Sequence, residues 1–188
     1  MGVMATNKDD DFQSWFCDLA TQYYVSGRLA ARSFLVPVYG NLLHHAVEMF
    51  LKAVLVGTLS IDEMKKYGHD LTTLWARFKG KENDTALDRF DQTIKNLHAF
   101  DSIRYPDEII AKGLLSSVGW APEHATTSSG STKPPPKYEV TINLVDELII
   151  ELLRRAGLNP KFFVARFVAY SQTREALTYQ NPQAGHWM

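Results

Sequence analysis

HHAVEMFLKAVL, residues 44–55, decides how this chain is read. At 100° per residue, Leu42, Leu43, Ala46, Val47, Phe50 and Val54 fall on one face of a helix. Asn41, His44, His45, Glu48 and Lys52 fall within roughly 100° of one another on the opposite arc. His44, Glu48 and Lys52 form a row one turn apart. The spacing predicts an apolar helix over about 38–57 that carries a single polar stripe of imidazole, carboxylate and ammonium groups.

Upstream, residues 11–33 read as a helix with Phe12, Trp15, Phe16, Leu19, Tyr23 and Ala30 facing a core. Ser26, Gly27, Ala30 and Ala31 are small enough to admit a neighbouring helix, and Pro37 then interrupts the chain, so a tight helical hairpin is expected. Downstream, a short helical turn leads to a helix whose N-cap is Asp70, a carboxylate placed to accept from the amides of Thr72 or Thr73. Leu71, Leu74, Trp75 and Phe78 then point inward, as do Leu87, Phe90, Ile94 and Leu97 of a fourth helix over 85–101.

Residues 107–141 break this pattern with Ser, Thr, Gly and a proline triplet, which fit an exposed irregular insertion. Alternation at Tyr138, Val140 and Ile142 suggests a strand, with 109–120 as its partner in a short β-hairpin. Asn143, with Asp146 three residues on, reads as the N-cap of a helix through Leu144, Leu148, Leu152 and Ala156 that Gly157 closes. Asn159 and Pro160 restart the chain, with Phe163, Phe167 and Tyr170 on an apolar face. The expected fold class is all-α: an antiparallel helical bundle over 11–178 with the insertion at 107–141, a flexible N-terminus at 1–10 and an irregular tail at 179–188.

With 188 residues, 45% of them hydrophobic, one core can form without disulfides or metal. The 20 basic and 21 acidic side chains nearly cancel, which excludes a global field that would draw the chain to nucleic acid or anionic lipid. Cys17 is the sole cysteine, so an intramolecular disulfide and a Cys-rich zinc site are both excluded. Among Trp15, Phe16 and Leu19 it reads as a packed thiol of a reducing, cytoplasmic protein. The apolar run over 46–59 is interrupted by Glu48 and Lys52 and falls short of the ~20 residues that span a bilayer, so no membrane anchor is expected.

Three readings of the polar stripe compete. His44, His45 and Glu48 could ligate a metal, but adjacent histidines diverge by about 100° and the order of the zincin motif is absent, so no metal and no cofactor is expected. Glu48 and Lys52 could be a surface pair contributing a few tenths of a kcal/mol. In the third reading they face another helix and bond to groups such as His69, holding two helices in register.

The third reading has a precedent. The stretch Ala46 to Leu55 followed by GHDLTTL, residues 68–74, resembles the HEPN domains, helical bundles with the patterns AvExxLKAxL and gHdLxxL. The approach RLAARSFL and the later Arg104, Tyr105 and Pro106 also fit, and the resemblance covers about 11–106. It implies a homodimer and a ligand-binding or helix-packing network of His44, Glu48, Lys52, His69, Asp70, Arg104 and Tyr105. Many HEPN domains are ribonucleases, whereas others are non-catalytic modules that bind a nucleotide, nucleic acid or protein partner.

The ribonuclease branch carries Arg, four to six residues, then His, to stabilise phosphate charge and to move a proton. Here the positions after Arg104 are Ile109, Ile110 and Ala111, and no other arginine is followed by a histidine at that distance. A non-catalytic module is therefore expected, with a divergent metal-independent ribonuclease using Arg104 and His124 as the alternative. Lys65, Lys66, Arg77, Lys79 and Lys81 could contact phosphate or form a solvated face.

Overall fold

The computed structural model describes residues 8–121 and 137–188. Helix α1, Lys8–Arg32, and helix α2, Val38–Leu55, form the expected hairpin. They meet where Gly27 lies against Leu43: a methyl group at Gly27 would come within 2.9 Å of the Leu43 side chain. Gly27, Ala30 and Ala31 are buried in this contact, whereas Ser26 is exposed.

Helix α2 lies at the centre, with α1 on one side and α4, Leu71–Glu82, α5, Asp91–Ala99, and α7, Ile142–Arg155, around the rest. Its residues from Phe50 to Leu55 are all buried. The polar arc is therefore interior, because α4 and α5 cover the side that amphipathic spacing assigns to solvent.

Short α3, Ile61–Lys66, joins α2 to α4 and opens on a reciprocal cap in which Ser60 and Glu63 satisfy each other's amides. Asp70 caps α4 as expected, accepting from Thr72 N and Thr73 N at 3.1 Å each. The fourth predicted helix is a 3-10 turn (Thr85–Phe90), then α5, then a second 3-10 turn (Phe100–Ile103), with Leu87, Phe90, Ile94 and Leu97 all buried.

Several expectations are corrected. On α1, Ala30 is buried and Phe16 and Tyr23 pack against the core as expected, but the stripe Cys17, Ala20, Thr21, Tyr24, Arg28 and Ala31 is also buried, and Trp15 and Leu19 face outward, 73% and 42% exposed. The shift follows from Arg28: it is fully buried because Asp146 of α7 pairs with it, Tyr24 donates to the same carboxylate at 2.7 Å, and the Ala176 carbonyl accepts from its Nε at 2.6 Å. An arginine reads as solvent-facing from sequence, but a fully hydrogen-bonded guanidinium–carboxylate pair is tolerated inside. Asp146 is thus a buried counter-ion and not a capping group. Thr141 occupies the N-cap position of α7, and Asn143 lies in its first turn.

The insertion begins with an unpredicted helix, α6, Pro106–Lys112, which Pro106 starts at a position needing no amide bond. Strands β1, Leu115–Gly119, and β2, Lys137–Thr141, do pair, with Val118 opposite Val140, but in parallel. The hairpin expectation fails on direction: residues 120–136 separate the strands, a connection long enough for a parallel return. Helix α8, Pro160–Val164, buries Phe163, whereas Tyr170, just before α9, Ser171–Thr178, is exposed. The tail is more ordered in its packing than expected: Trp187 is buried and stacks on Tyr24 at 5.2 Å between ring centroids. No helix among the described residues is long and apolar enough to cross a membrane.

Candidate functional site

The polar arc of α2 meets the turn before α4 around Glu48. This carboxylate is fully buried. Its Oε1 accepts from Lys52 Nζ at 2.6 Å, and its Oε2 accepts from His45 Nδ1 at 3.1 Å and His69 Nδ1 at 3.0 Å. Helical spacing brings His45 and Lys52 to it from the same helix, and the turn through Gly68, whose φ is +54°, delivers His69 from outside. Lys52 Nζ also donates to the Gly68 carbonyl at 3.0 Å, so α2 is tied to that turn twice, once through Lys52 and once through Glu48 to His69.

The protonation pattern follows from donor and acceptor chemistry. Burial by itself raises the Glu48 pKa, but hydrogen bonds from His45, Lys52 and His69 outweigh it and hold the group lowered to about 2. An ionised carboxylate only accepts, so His45 and His69 each carry a proton on Nδ1. His44 is different. Its Nδ1 lies 3.1 Å from the Leu97 carbonyl, another pure acceptor, so Nδ1 carries the proton there too. Burial lowers the His44 pKa despite that bond and the nearby Glu48, which favours the neutral ring. Its Nε2 is then a bare lone pair, buried without a hydrogen-bond partner and 3.9 Å from Glu48 Oε2.

The predicted residues divide into those the fold assembles and those it does not. His44, Glu48, Lys52 and His69 converge, and Asp70 adjoins them in the chain while capping α4. Thr72 and Thr73, bonded to its side chain, hold the Asp70 carboxyl lowered to about 2. Arg104 pairs with Asp101, and Tyr105 is exposed; neither bonds to the Glu48 group. His124 lies outside the described residues.

Sequence reading missed two rings. His98 of α5 stacks on His44 at 6.2 Å between centroids, and Tyr23 of α1 packs on His45 at 5.4 Å. Neither belongs to a local pattern with residues 44–55, since each arrives by tertiary packing. Of the basic groups Lys65, Lys66, Arg77, Lys79 and Lys81, all but Lys66 bond to neighbours. Lys65 pairs with Asp62, Arg77 donates to the Tyr67 hydroxyl, Lys79 to Asp91, and Lys81 to the Val54 carbonyl.

Chemically, this arrangement can join two helices and hold a carboxylate ionised in a dry setting. As a general base Glu48 is poorly suited, because its low pKa makes it a weak proton acceptor. Compared with protein-family models, curated proteins and solved structures, the chain matches none.

Proposed function

We propose that this chain is a non-catalytic, HEPN-like homodimeric module of the cytoplasm that binds a nucleotide, nucleic acid or protein partner, and whose polar stripe joins helices. The observation that carries this reading is the full burial of Glu48 with every close donor committed to it. A catalytic acid or base needs access to substrate, and this carboxylate has none. The ribonuclease alternative finds less support, since Arg104 is bonded to Asp101 and the positions that would supply its histidine hold Ile109, Ile110 and Ala111. The cytoplasmic assignment rests on the lone Cys17, whose burial, with Asp18 nearby, raises its pKa to about 12 and leaves the thiol inert.

Self-association is favoured by the outer face of α1. Trp15 and Leu19 stand outward there, and Trp15 lines a groove with Phe162 of α8, 73% exposed. The ion pair of Arg166 with Asp18 places both charge signs at its rim. An apolar centre with a rim of both signs suits an isologous contact with a second copy. Sedimentation at micromolar concentration tests this: the wild type should run as a dimer, and Trp15→Ser with Phe162→Ser as a monomer of unchanged helicity. A wild type that stays monomeric, or a doubly substituted chain that stays dimeric, contradicts the proposed interface.

A further inference from the structure

Among the described residues, His44, His45 and Glu48 each offer one ligand atom, and these atoms lie within 4.8 Å of one another. Proximity alone carries little, since carboxylates and imidazoles cluster for structural reasons. The decisive feature is His44 Nε2: it is buried, lacks a hydrogen-bond partner, and faces Glu48 Oε2 at 3.9 Å. Glu48 Oε2 already accepts from His45 and His69, so His44 Nε2 has an acceptor beside it and no donor in reach. A buried acceptor is ordinarily satisfied, so this pair calls for a cation between them.

Both groups also carry the outer partners that metal ligands need. Ligating histidines characteristically donate their other ring N–H to a backbone carbonyl, which fixes tautomer and orientation. His44 does so to Leu97 O at 3.1 Å. Ligating carboxylates are themselves hydrogen-bonded, and Lys52 holds Glu48 Oε1 at 2.6 Å, which leaves Oε2 as a single donor atom. His45, 22% exposed at its side chain, is the adjustable member.

We propose that His44, His45 and Glu48 bind a divalent transition-metal ion of the Zn2+ class through His44 Nε2, His45 Nδ1 and Glu48 Oε2. Two imidazoles and one carboxylate are a Zn2+ donor set that leaves a coordination position for water. The ion takes the place of the His45 Nδ1 proton, which the ring can carry on Nε2 instead, and no redox partner is needed. The bond from His69 to Oε2 remains available beside the ion, because a carboxylate oxygen has two lone pairs. Lys52 opposes the added charge, while Asp101, which interacts electrostatically with His44, partly offsets it. Adjacent histidines diverge on a helix, which argues against such a set; the burial of His44 and its outer bond to the Leu97 carbonyl outweigh that. The module reading does not depend on the ion, since Lys52 and His69 still hold Glu48 when His45 turns to the metal.

The test titrates metal-stripped wild type with Co2+, reading its visible ligand-field bands, and then adds Zn2+. One Co2+ per chain, displaced by Zn2+, is expected, with affinity falling at least about tenfold in His45→Ala and unchanged in His186→Ala, an exposed residue of the C-terminal segment. X-ray absorption of the Zn2+-loaded wild type, which needs no variant, should report two imidazole ligands. Absence of binding, binding that His45→Ala leaves intact or His186→Ala removes, or a spectrum without imidazole each overturns the proposal.

Discussion

Glu48 is held by groups of different kinds, an ammonium and two imidazole N–H donors, and it responds to pH accordingly. Its folded pKa of about 2 lies below the value of about 4.3 for an unfolded glutamate. The carboxylate therefore contributes stability fully above about pH 5 and loses it as pH falls toward 2, by roughly 3 kcal/mol. Urea unfolding in chelator should find Glu48→Ala destabilised by about 3–5 kcal/mol at pH 7, because Lys52 is left buried without its carboxylate. The gap between wild type and variant should narrow on acidification, and a gap that stays constant from pH 7 to pH 3 would remove the network from the account. Sequence made Glu48, Lys52 and His69 legible as a group because two turns of one helix and one following turn fix them. It did not reveal that His44 differs from His45, since that distinction depends on the Leu97 carbonyl, more than fifty residues away.

At the scale of elements, α2 is placed by close approaches that only small residues allow. A methyl group at Gly40 would lie 2.0 Å from the Phe100 ring, so the 3-10 turn Phe100–Ile103 seats directly on the α2 backbone. Gly40→Ala should cost about 1–3 kcal/mol by overpacking, roughly 2–12 °C in Tm at this size. Gly80→Ala, in the exposed part of α4 with nothing near a new methyl group, should instead stabilise by about 0.5–1 kcal/mol. Thermal unfolding of the two variants checks the contrast, and equal shifts would refute the packing of Phe100 against α2. Helix spans were legible where apolar spacing, caps and prolines agreed, as at Asp70 and Pro160. The buried face of α1 was not, because Trp15 and Leu19 carry more apolar weight than the stripe holding Arg28. Strand direction was also hidden, since alternation in β2 sets which residues face inward and says nothing of polarity.

For the molecule as a whole, Arg28 links three distant segments. It joins α1 to Asp146 of α7 and donates to the Ala176 and Tyr179 carbonyls near the C-terminal end. Asn181 donates to the Tyr24 hydroxyl at 3.3 Å, and Trp187 covers the same ring. Removing residues 179–188 uncovers this buried charge pair, so the truncated chain should lose several kcal/mol of stability, read as a lower urea midpoint. An unchanged midpoint would mean that the tail is dispensable to the core. No composition or spacing signal marks the tail as a cover, because its two aromatic residues, Tyr179 and Trp187, follow no helical or strand spacing and their partners are far away in sequence. The central claim, that the chain is a non-catalytic module and not a ribonuclease, is tested most directly by incubating the purified chain with single-stranded and structured RNA in chelator, beside Arg104→Ala. Intact RNA in both reactions is the predicted result; cleavage by the wild type that Arg104→Ala abolishes would contradict the account.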